Sequence, residues 1–134
     1  MIPVCKPWLP GNEKKYVQEC MDTNWISSAG RFIGEFEDKF SEYCGSEFGV
    51  SCTSCYAALH LACMAIGLKK GDEVIVPAFT YPATANVVEI VGAKPVLVDI
   101  TLDDFCIDIS KIKAVITDRT KAIIPVHEFG QAAD

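Results

Sequence analysis

The stretch GDEVIVPAFTYPATAN, residues 71–86, decides the fold that the sequence predicts. Glu73–Val76 is a short β-branched run typical of a strand, and Pro77 cannot donate to a sheet ladder, so the strand should end there. Pro82 suits the first turn of a new helix, because its fixed φ matches the helix and its missing N–H is not needed there. Tyr81 therefore lies in a strand-to-helix connection, which is where open parallel sheets bind their ligands.

The sequence on either side of this stretch alternates strands with helices. The predicted strands are Phe48–Cys52, Glu73–Val76, Pro95–Ile100 and Lys121–Val126. The predicted helices are Tyr56–Leu68, Pro82–Val91 and a short one that opens at Asp108-Ile109-Ser110. Strands separated by helices of this length imply a parallel sheet with right-handed crossovers, so the predicted fold class is α/β.

The residues before the first predicted strand form an arm and two helices. Prolines break any regular element over residues 1–11, and Asn12 can cap a helix that continues to about Met21. The next helix ends at Gly45 and carries an aromatic stripe made of Phe32, Phe36, Phe40 and Tyr43. A stripe of this kind is far more often core than a cofactor site, so we interpret it as core.

The bulk composition excludes several classes of partner. The chain has 134 residues and a formal net charge of −6, with no basic run. This balance argues against binding to nucleic acid and to an anionic membrane surface. No apolar run reaches the ~18 residues of a membrane span, and the N-terminal residues lack the apolar region of a signal peptide. We therefore expect a cytoplasmic protein without a membrane segment.

The seven cysteines lie inside hydrophobic segments, which is typical of reduced, partly buried thiols in an intracellular protein. Cys52 and Cys55 form a CxxC motif, but zinc would need two more ligands at matching spacing, so we expect no metal site. A thioredoxin-like redox pair stays open as an alternative, since a CxxC between a strand and a helix fits one. His127 follows a strand and can bind or catalyse, although a hydrogen-bonded structural histidine is the commoner case.

The connection before the first long helix of the sheet region is a candidate phosphate site. The first-turn N–H groups of a helix are unpaired, its dipole favours an anion, and Thr53 and Ser54 add hydroxyl groups. A planar phosphorylated ring can have its phosphate at Ser54–Tyr56 and its face against Tyr81. The alternative is that Ser54 only caps the helix and that the aromatic side chains near Tyr81 only pack their loop.

Four segments together resemble a known family of enzymes. They are GNEKKYVQEC (11–20), WISSAGRFIGEFEDKF (25–40), AALHLACMAIGLKKGDEVIVPAFTYPATANVVEIVGAKPVLVDI (57–100) and ITDRTKAIIPVHEFGQAAD (116–134). They resemble the N-terminal part of the DegT/DnrJ/EryC1/StrS nucleotide-sugar aminotransferases, and within that family the perosamine synthases. The resemblance implies homodimeric enzymes of the type I PLP-transferase fold, which carry pyridoxal 5′-phosphate (PLP). It also implies transfer of an amino group from glutamate to a keto-sugar nucleotide.

The resemblance assigns roles to particular positions. Tyr81 matches the aromatic residue that stacks on the cofactor ring. The Gly-Thr pair whose amides hold the cofactor phosphate falls on Cys55 and Tyr56, beside Ser54, which is a departure from the family pattern. The segment near the sugar-nucleotide site at the dimer interface is matched by the loop that contains Trp25, Ser27 and Ser28.

The resemblance also implies that these residues form only part of the fold. Residues 1–46 would be the arm and helices on the dimer and substrate side, and residues 47–134 a truncated start of the PLP-binding large domain. That domain is a three-layer αβα structure with a mainly parallel sheet, in which the second, third and fourth predicted strands pair in the order 3-2-4. The partner of the first strand is not among these residues.

The family's Schiff-base lysine and its ring-nitrogen aspartate lie beyond the last matched segment. We therefore assign no catalytic residue here and expect the chain alone to be inactive, with PLP binding weak or absent. The expected partners are further copies of the chain or a missing C-terminal half, and not nucleic acid. Two alternatives stay open, namely a non-catalytic interaction or regulatory homologue and a small thiol-redox α/β domain.

Overall fold

The computed structural model describes residues 2 and 6–134. The helices are α1 (Glu13–Asp22), α2 (Arg31–Cys44), α3 (Cys55–Ala65), α4 (Ala83–Ile90), α5 (Ile109–Val115) and a 3-10 turn, Glu128–Gly130. The strands are β1 (Glu73–Pro77), β2 (Lys94–Val98) and β3 (Thr120–Ile123). The chain divides into two compact units, Met1–Ser51 and Cys52–Asp134. In the predicted N-terminal arm, residues 6–10 form no helix or strand, while residues 1 and 3–5 lie outside the described part.

The second unit is built on a three-stranded parallel sheet in the order β2-β1-β3. This is the predicted order of the second, third and fourth strands, so that prediction is confirmed. The five residues of β1 are all buried, which is expected of a central strand covered on both faces. No helix in the described part of the chain is long and apolar enough to cross a membrane.

The side chains of β1 alternate between two separate cores. Val74 and Val76 lie in a cluster with Cys63 of α3 and with Val87 and Val88 of α4. Ile75 points to the opposite face and packs with Val98 and Ile107, against which α5 places Ile112 and Val115. Helices therefore cover the sheet on both faces, which gives the three-layer αβα arrangement that was predicted.

The predicted strand Phe48–Cys52 is wrong, because the structure has no strand there. The backbone at its centre is tied to α2 instead. The Ser51 N–H and hydroxyl both donate to the Glu37 carboxylate at 2.8 Å. A Cβ atom at Gly49 would lie 2.6 Å from the carbonyl oxygen of Glu37, so this close approach requires glycine. Both contacts hold the segment against α2, and the segment does not pair with a strand.

The helices of the first unit form as predicted, and α2 ends at Gly45 in the left-handed conformation. Tyr16 of α1 contacts Phe32 of α2 with ring centroids 4.9 Å apart. The interpretation of the aromatic stripe as core is wrong for its C-terminal half, since Phe36 and Phe40 are each 54% exposed and Tyr43 is 88% exposed. These rings line an open apolar groove of about 590 Å³ between α1 and α2.

One carboxylate at the amino edge of the sheet is buried and paired. Glu73, the first residue of β1, accepts hydrogen bonds from the Thr117 hydroxyl at 2.7 Å and from the Arg119 guanidinium at 2.7 Å. The amino group of Lys94 lies 3.7 Å away. The Thr117 hydroxyl and the Arg119 guanidinium hold the pKa of Glu73 below its ordinary value. The hydrogen bonds from Thr117 and Arg119 to Glu73 tie β1 to the turn that precedes β3.

We predict that Glu73→Gln makes the protein less stable near neutral pH and that this difference disappears in acid. Because the native pKa of Glu73 is lowered, its ionised form stabilises the fold above the unfolded pKa, and that stability is lost as the pH falls through the lowered native value. Urea unfolding at a series of pH values measures this. The exposed carboxylate Glu89 on α4 supplies the control Glu89→Gln. Equal pH profiles for wild type and Glu73→Gln would contradict the assignment.

Candidate cofactor site

The carboxyl ends of the three parallel strands meet at one edge of the sheet. β1, β2 and β3 end there at Pro77, Val98 and Ile123, and each runs into a loop. In the fold class observed, this edge is where ligands bind. Tyr81 lies in the loop after β1, and its side chain is 80% exposed. The predicted location of Tyr81 at this edge is therefore the observed one.

Contacts at both ends of the β1–α4 loop fix its backbone. The Ala78 N–H donates to the Val98 carbonyl oxygen at 2.7 Å, which holds the loop to the end of β2. At the other end, the hydroxyl groups of Thr80 and the buried Thr84 lie 3.3 Å apart, and the Thr84 N–H donates to the Tyr81 carbonyl. The loop is anchored while the Tyr81 ring stays open to solvent, so a planar ligand can stack on it.

The N-terminus of α3 is a second feature of the same unit. Ser54 is the N-cap, and its hydroxyl accepts a hydrogen bond from the Ala57 N–H at 3.2 Å. The N–H groups of Cys55 and Tyr56 have no partner among the described residues. Two free first-turn amides at the positive end of an eleven-residue helix can donate hydrogen bonds to an anion. The predicted cap is confirmed, although no strand leads into it.

The side chains at this helix end differ in how they are used. Cys55 is exposed, whereas Tyr56 is partly buried and packs against the core cluster of β1 and α4. The Tyr56 ring therefore packs against the core, and the backbone N–H of Tyr56 is the group that can bind a ligand. Ser54, Cys55 and Tyr56 are consecutive at one helix end, and Tyr81 lies in a different loop of the same unit.

Two of the residues predicted to bind substrate line a cavity in the first unit. Trp25 and Ser27 border a space of about 520 Å³ whose other lining residues include Gly30 and Arg31. Ser28 is exposed but is not among the lining residues. Trp25 follows Asn24, which adopts a left-handed conformation at φ 61° and turns the chain into this loop.

The cation in that cavity is already paired. The Arg31 guanidinium donates to the Glu19 carboxylate at 2.6 and 2.8 Å and also to Glu35. These contacts raise the pKa of Arg31, and the hydrogen bond from Arg31 lowers the pKa of Glu19. Arg31 therefore serves first to join α1 to α2, and a ligand phosphate would have to compete with two carboxylates for it.

The acidic connection after β2 uses its carboxylates internally. Asp104 accepts from the Thr101 hydroxyl and the Cys106 N–H, and these two bonds lower its pKa. Asp108 caps α5 by accepting from the Ser110 N–H at 3.0 Å. Lys111 donates to Asp99 at 2.8 Å, which lowers the pKa of that carboxyl. These charges shape the loop and leave no unpaired carboxylate pair suited to acid–base chemistry among them.

The other candidate residues that the sequence offered are His127 and the cysteines. The Nδ1 atom of His127 accepts a hydrogen bond from the Ala133 N–H at 3.0 Å, so the structural interpretation of this histidine is confirmed. Cys52 and Cys55 are both exposed, whereas Cys63 and Cys106 are buried, and burial raises the pKa of the Cys63 thiol. Within residues 2 and 6–134, no group of three His, Cys, Asp or Glu side chains converges on a possible metal position.

Comparison with curated proteins gives close relatives along the whole chain. GDP-perosamine synthase from Caulobacter vibrioides is 56% identical over 133 residues, which are 99% of this chain and 36% of that protein. GDP-perosamine synthase from Escherichia coli O157:H7 is 44% identical over the same share of each chain. The chain thus spans about a third of the length of the curated relatives it matches.

Solved structures extend this relationship to the fold. An aminotransferase of the DegT/DnrJ/EryC1/StrS type from Brucella abortus superposes with a TM-score of 0.83 at 36% identity over 90% of this chain and 34% of its own. Spr1654 from Streptococcus pneumoniae, solved in its PLP form, superposes with a TM-score of 0.90 at 38% identity over 99% of this chain and 34% of its own. The described structure is accordingly part of a PLP-aminotransferase fold. The sequence pattern of the DegT/DnrJ/EryC1/StrS aminotransferase family matches residues 9–134, and the chain belongs to that family.

Proposed function

We propose that this chain supplies the first part of the PLP-binding large domain of an aminotransferase that acts on a keto-sugar nucleotide. Glutamate would be the amino donor, and the reaction would serve amino-sugar and polysaccharide synthesis in the cytoplasm. The observation that carries the proposal is the pair of free amides at the start of α3 together with the exposed ring of Tyr81 in one unit. Free amides suit a phosphate group, and an exposed aromatic face suits a planar ring.

The residues present fit the cofactor, and each would hold a different part of it. The Cys55 and Tyr56 amides would bind the phosphate, and Ser54 would keep them aligned by capping the helix. Tyr81 would stack on the ring, on a loop held by Ala78 and Thr84. When bound, PLP supplies the electron sink and the amino-group carrier of transamination. The backbone amides of Cys55 and Tyr56 and the ring of Tyr81 would bind and orient it.

Trp25, Ser27 and Ser28 are proposed to contact the sugar nucleotide. The cavity beside Trp25 and Ser27, with its tryptophan and hydroxyl groups, suits a ligand with both apolar and polar faces. The identity to GDP-perosamine synthases supports GDP-4-keto-6-deoxymannose as the substrate to test first.

The chemistry also needs a lysine for covalent attachment of the cofactor, and we propose that no lysine among the described residues fills that role. Lys94 begins β2 at the opposite edge of the sheet from Tyr81, and Lys69 and Lys70 precede β1 at that same opposite edge. Lys111 is held by Asp99 and Asp108. We propose that the 134-residue chain alone is inactive in transamination.

We predict that Tyr81→Ala weakens PLP binding by about two- to thirteenfold, because stacking of aromatic rings contributes roughly 0.5–1.5 kcal/mol. Tyr81→Phe retains the ring and should bind within about twofold of wild type. Equilibrium dialysis with PLP measures both affinities. The site assignment is wrong if Tyr81→Ala binds as wild type does, or if borohydride traps a covalent adduct on a lysine of the chain.

Ser54 provides a separate test of the phosphate site. Ser54→Ala should destabilise the fold by about 1 kcal/mol through loss of the N-cap, whereas Ser54→Asp keeps a capping oxygen. The aspartate places a negative charge beside the free amides, so Ser54→Asp should lose PLP affinity without losing stability. Urea unfolding and dialysis measure the two effects. Pyridoxal without its phosphate is the matched ligand, and an equal loss for both ligands would contradict the assignment.

A third expectation concerns catalysis. The purified 134-residue chain should show no glutamate-dependent amination of GDP-4-keto-6-deoxymannose above a heat-killed control, because we propose that none of its described lysines attaches the cofactor. Chromatographic detection of the amino-sugar nucleotide is the measurement. Product formed in proportion to the amount of chain would refute the proposed inactivity.

We also propose that the chain associates with further copies of itself or with the rest of the enzyme. β3 is an edge strand, and its Ile123 is 43% exposed. Sedimentation should give a mass above the 14.6 kDa of one chain, and Ile123→Lys should lower it. Ile116→Lys alters an isoleucine that is 53% exposed at the end of α5 and outside β3, so it should leave the mass unchanged. A wild-type monomer would contradict this expectation.

A further inference from the structure

Three phenylalanines meet at the carboxyl edge of the sheet, one from the loop after each strand. Phe79 follows β1, Phe105 follows β2 and Phe129 follows β3. The ring centroids are 6.0 Å apart for Phe79 and Phe105, 6.5 Å for Phe79 and Phe129, and 5.9 Å for Phe105 and Phe129. All three separations lie in the range of favourable aromatic pairs. We call these residues the aromatic cluster.

The aromatic cluster joins segments that are far apart in the chain. One further contact joins two of the loops, since the Cys106 thiol donates to the Gln131 carbonyl oxygen at 3.5 Å. The Phe79 ring brings in the loop after β1, because it contacts both of the other rings. The position of the β1–α4 loop therefore depends on side chains from the two neighbouring loops.

The backbone of two cluster members is unusual for their residue type. Phe105 has φ 60° and Phe129 has φ 50°, the left-handed region that glycine favours and that bulky residues rarely adopt. Bulky residues persist in this region only where their surroundings hold them. The ring contacts of Phe105 and Phe129 are such surroundings, and the left-handed turns in return direct both rings toward Phe79.

Phe79 lies two residues before Tyr81, and Thr84 fastens the same loop on its other side. We propose that Phe105 and Phe129 are positioning residues that act through Phe79 to hold Tyr81 ready for a planar ligand. This inference rests on the proposed cofactor role of Tyr81. It assigns a function to two aromatic residues in loops that contribute no group to the ligand itself.

The test is amide hydrogen exchange on the whole 134-residue chain. Two amides report on the loop, namely Ala78, bonded to Val98, and Thr84, bonded to the Tyr81 carbonyl. Phe129→Leu removes the ring but keeps an apolar side chain, and Phe129 is 80% exposed, so the urea midpoint should not change. Exchange at both amides should become at least about threefold faster. Phe129→Tyr keeps an aromatic ring at this position, so its two amides should exchange at the wild-type rate.

Leu102→Ala is the matched control, because Leu102 is also exposed in the loop of Phe105 but does not belong to the aromatic cluster. Equal exchange in Phe129→Leu and wild type, or equal acceleration in Leu102→Ala, overturns the inference.

PLP affinity distinguishes a role in positioning Tyr81 from a role in supporting the loop alone. Phe129→Leu should weaken PLP binding about threefold, and Phe129→Tyr should not. Faster exchange with unchanged PLP affinity would overturn the positioning role. If the wild-type chain binds no PLP, the proposed function fails for this chain, while the exchange rates of Phe129→Leu still decide whether the aromatic cluster holds the loop.

Discussion

The burial of β1 on both faces is the constraint on which the rest of the second unit depends. Val74 and Val76 pack under α3 and α4, while Ile75 packs under α5, so one five-residue strand organises three layers. Each such side chain contributes roughly 1.5–3 kcal/mol on burial. Because β1 is central and parallel to both neighbours, its end at Pro77 brings three loops to one edge. The candidate site is a consequence of that arrangement.

The parallel sheet was predictable from local patterns, because the β-branched run of β1, its terminating proline and the helix spacing all indicate it. The order β2-β1-β3 was implied by the family resemblance and does not follow from those patterns. The segment at residues 48–52 has only one β-branched residue, Val50, and its backbone is held by the Glu37 carboxylate, a contact between distant residues that no local pattern encodes. The stripe of α2 shows the same limit, since periodicity identifies an apolar face but not what covers it.

The residues of the candidate site also divide into those that the sequence predicted and those that it did not. Ser54 as a helix cap and Tyr81 in a strand-to-helix loop both follow from residue type and position, and both lie where they were predicted. The left-handed backbone of Phe105 and Phe129 could not be foreseen, because phenylalanine carries no signal for that conformation. The pairing of Arg31 with Glu19 and Glu35 likewise depends on how α1 lies beside α2.

In the proposed cofactor site, the start of α3 and the loop of Tyr81 would bind one PLP molecule between them. The most direct measurement is a titration of the ¹⁵N-labelled chain with PLP, followed by amide chemical shifts. The account predicts saturable shifts at Cys55, Tyr56 and Tyr81, and much smaller shifts at Cys55 and Tyr56 when pyridoxal without its phosphate replaces PLP. Shifts confined to other residues, or the same shifts at Cys55 and Tyr56 with both ligands, would contradict it.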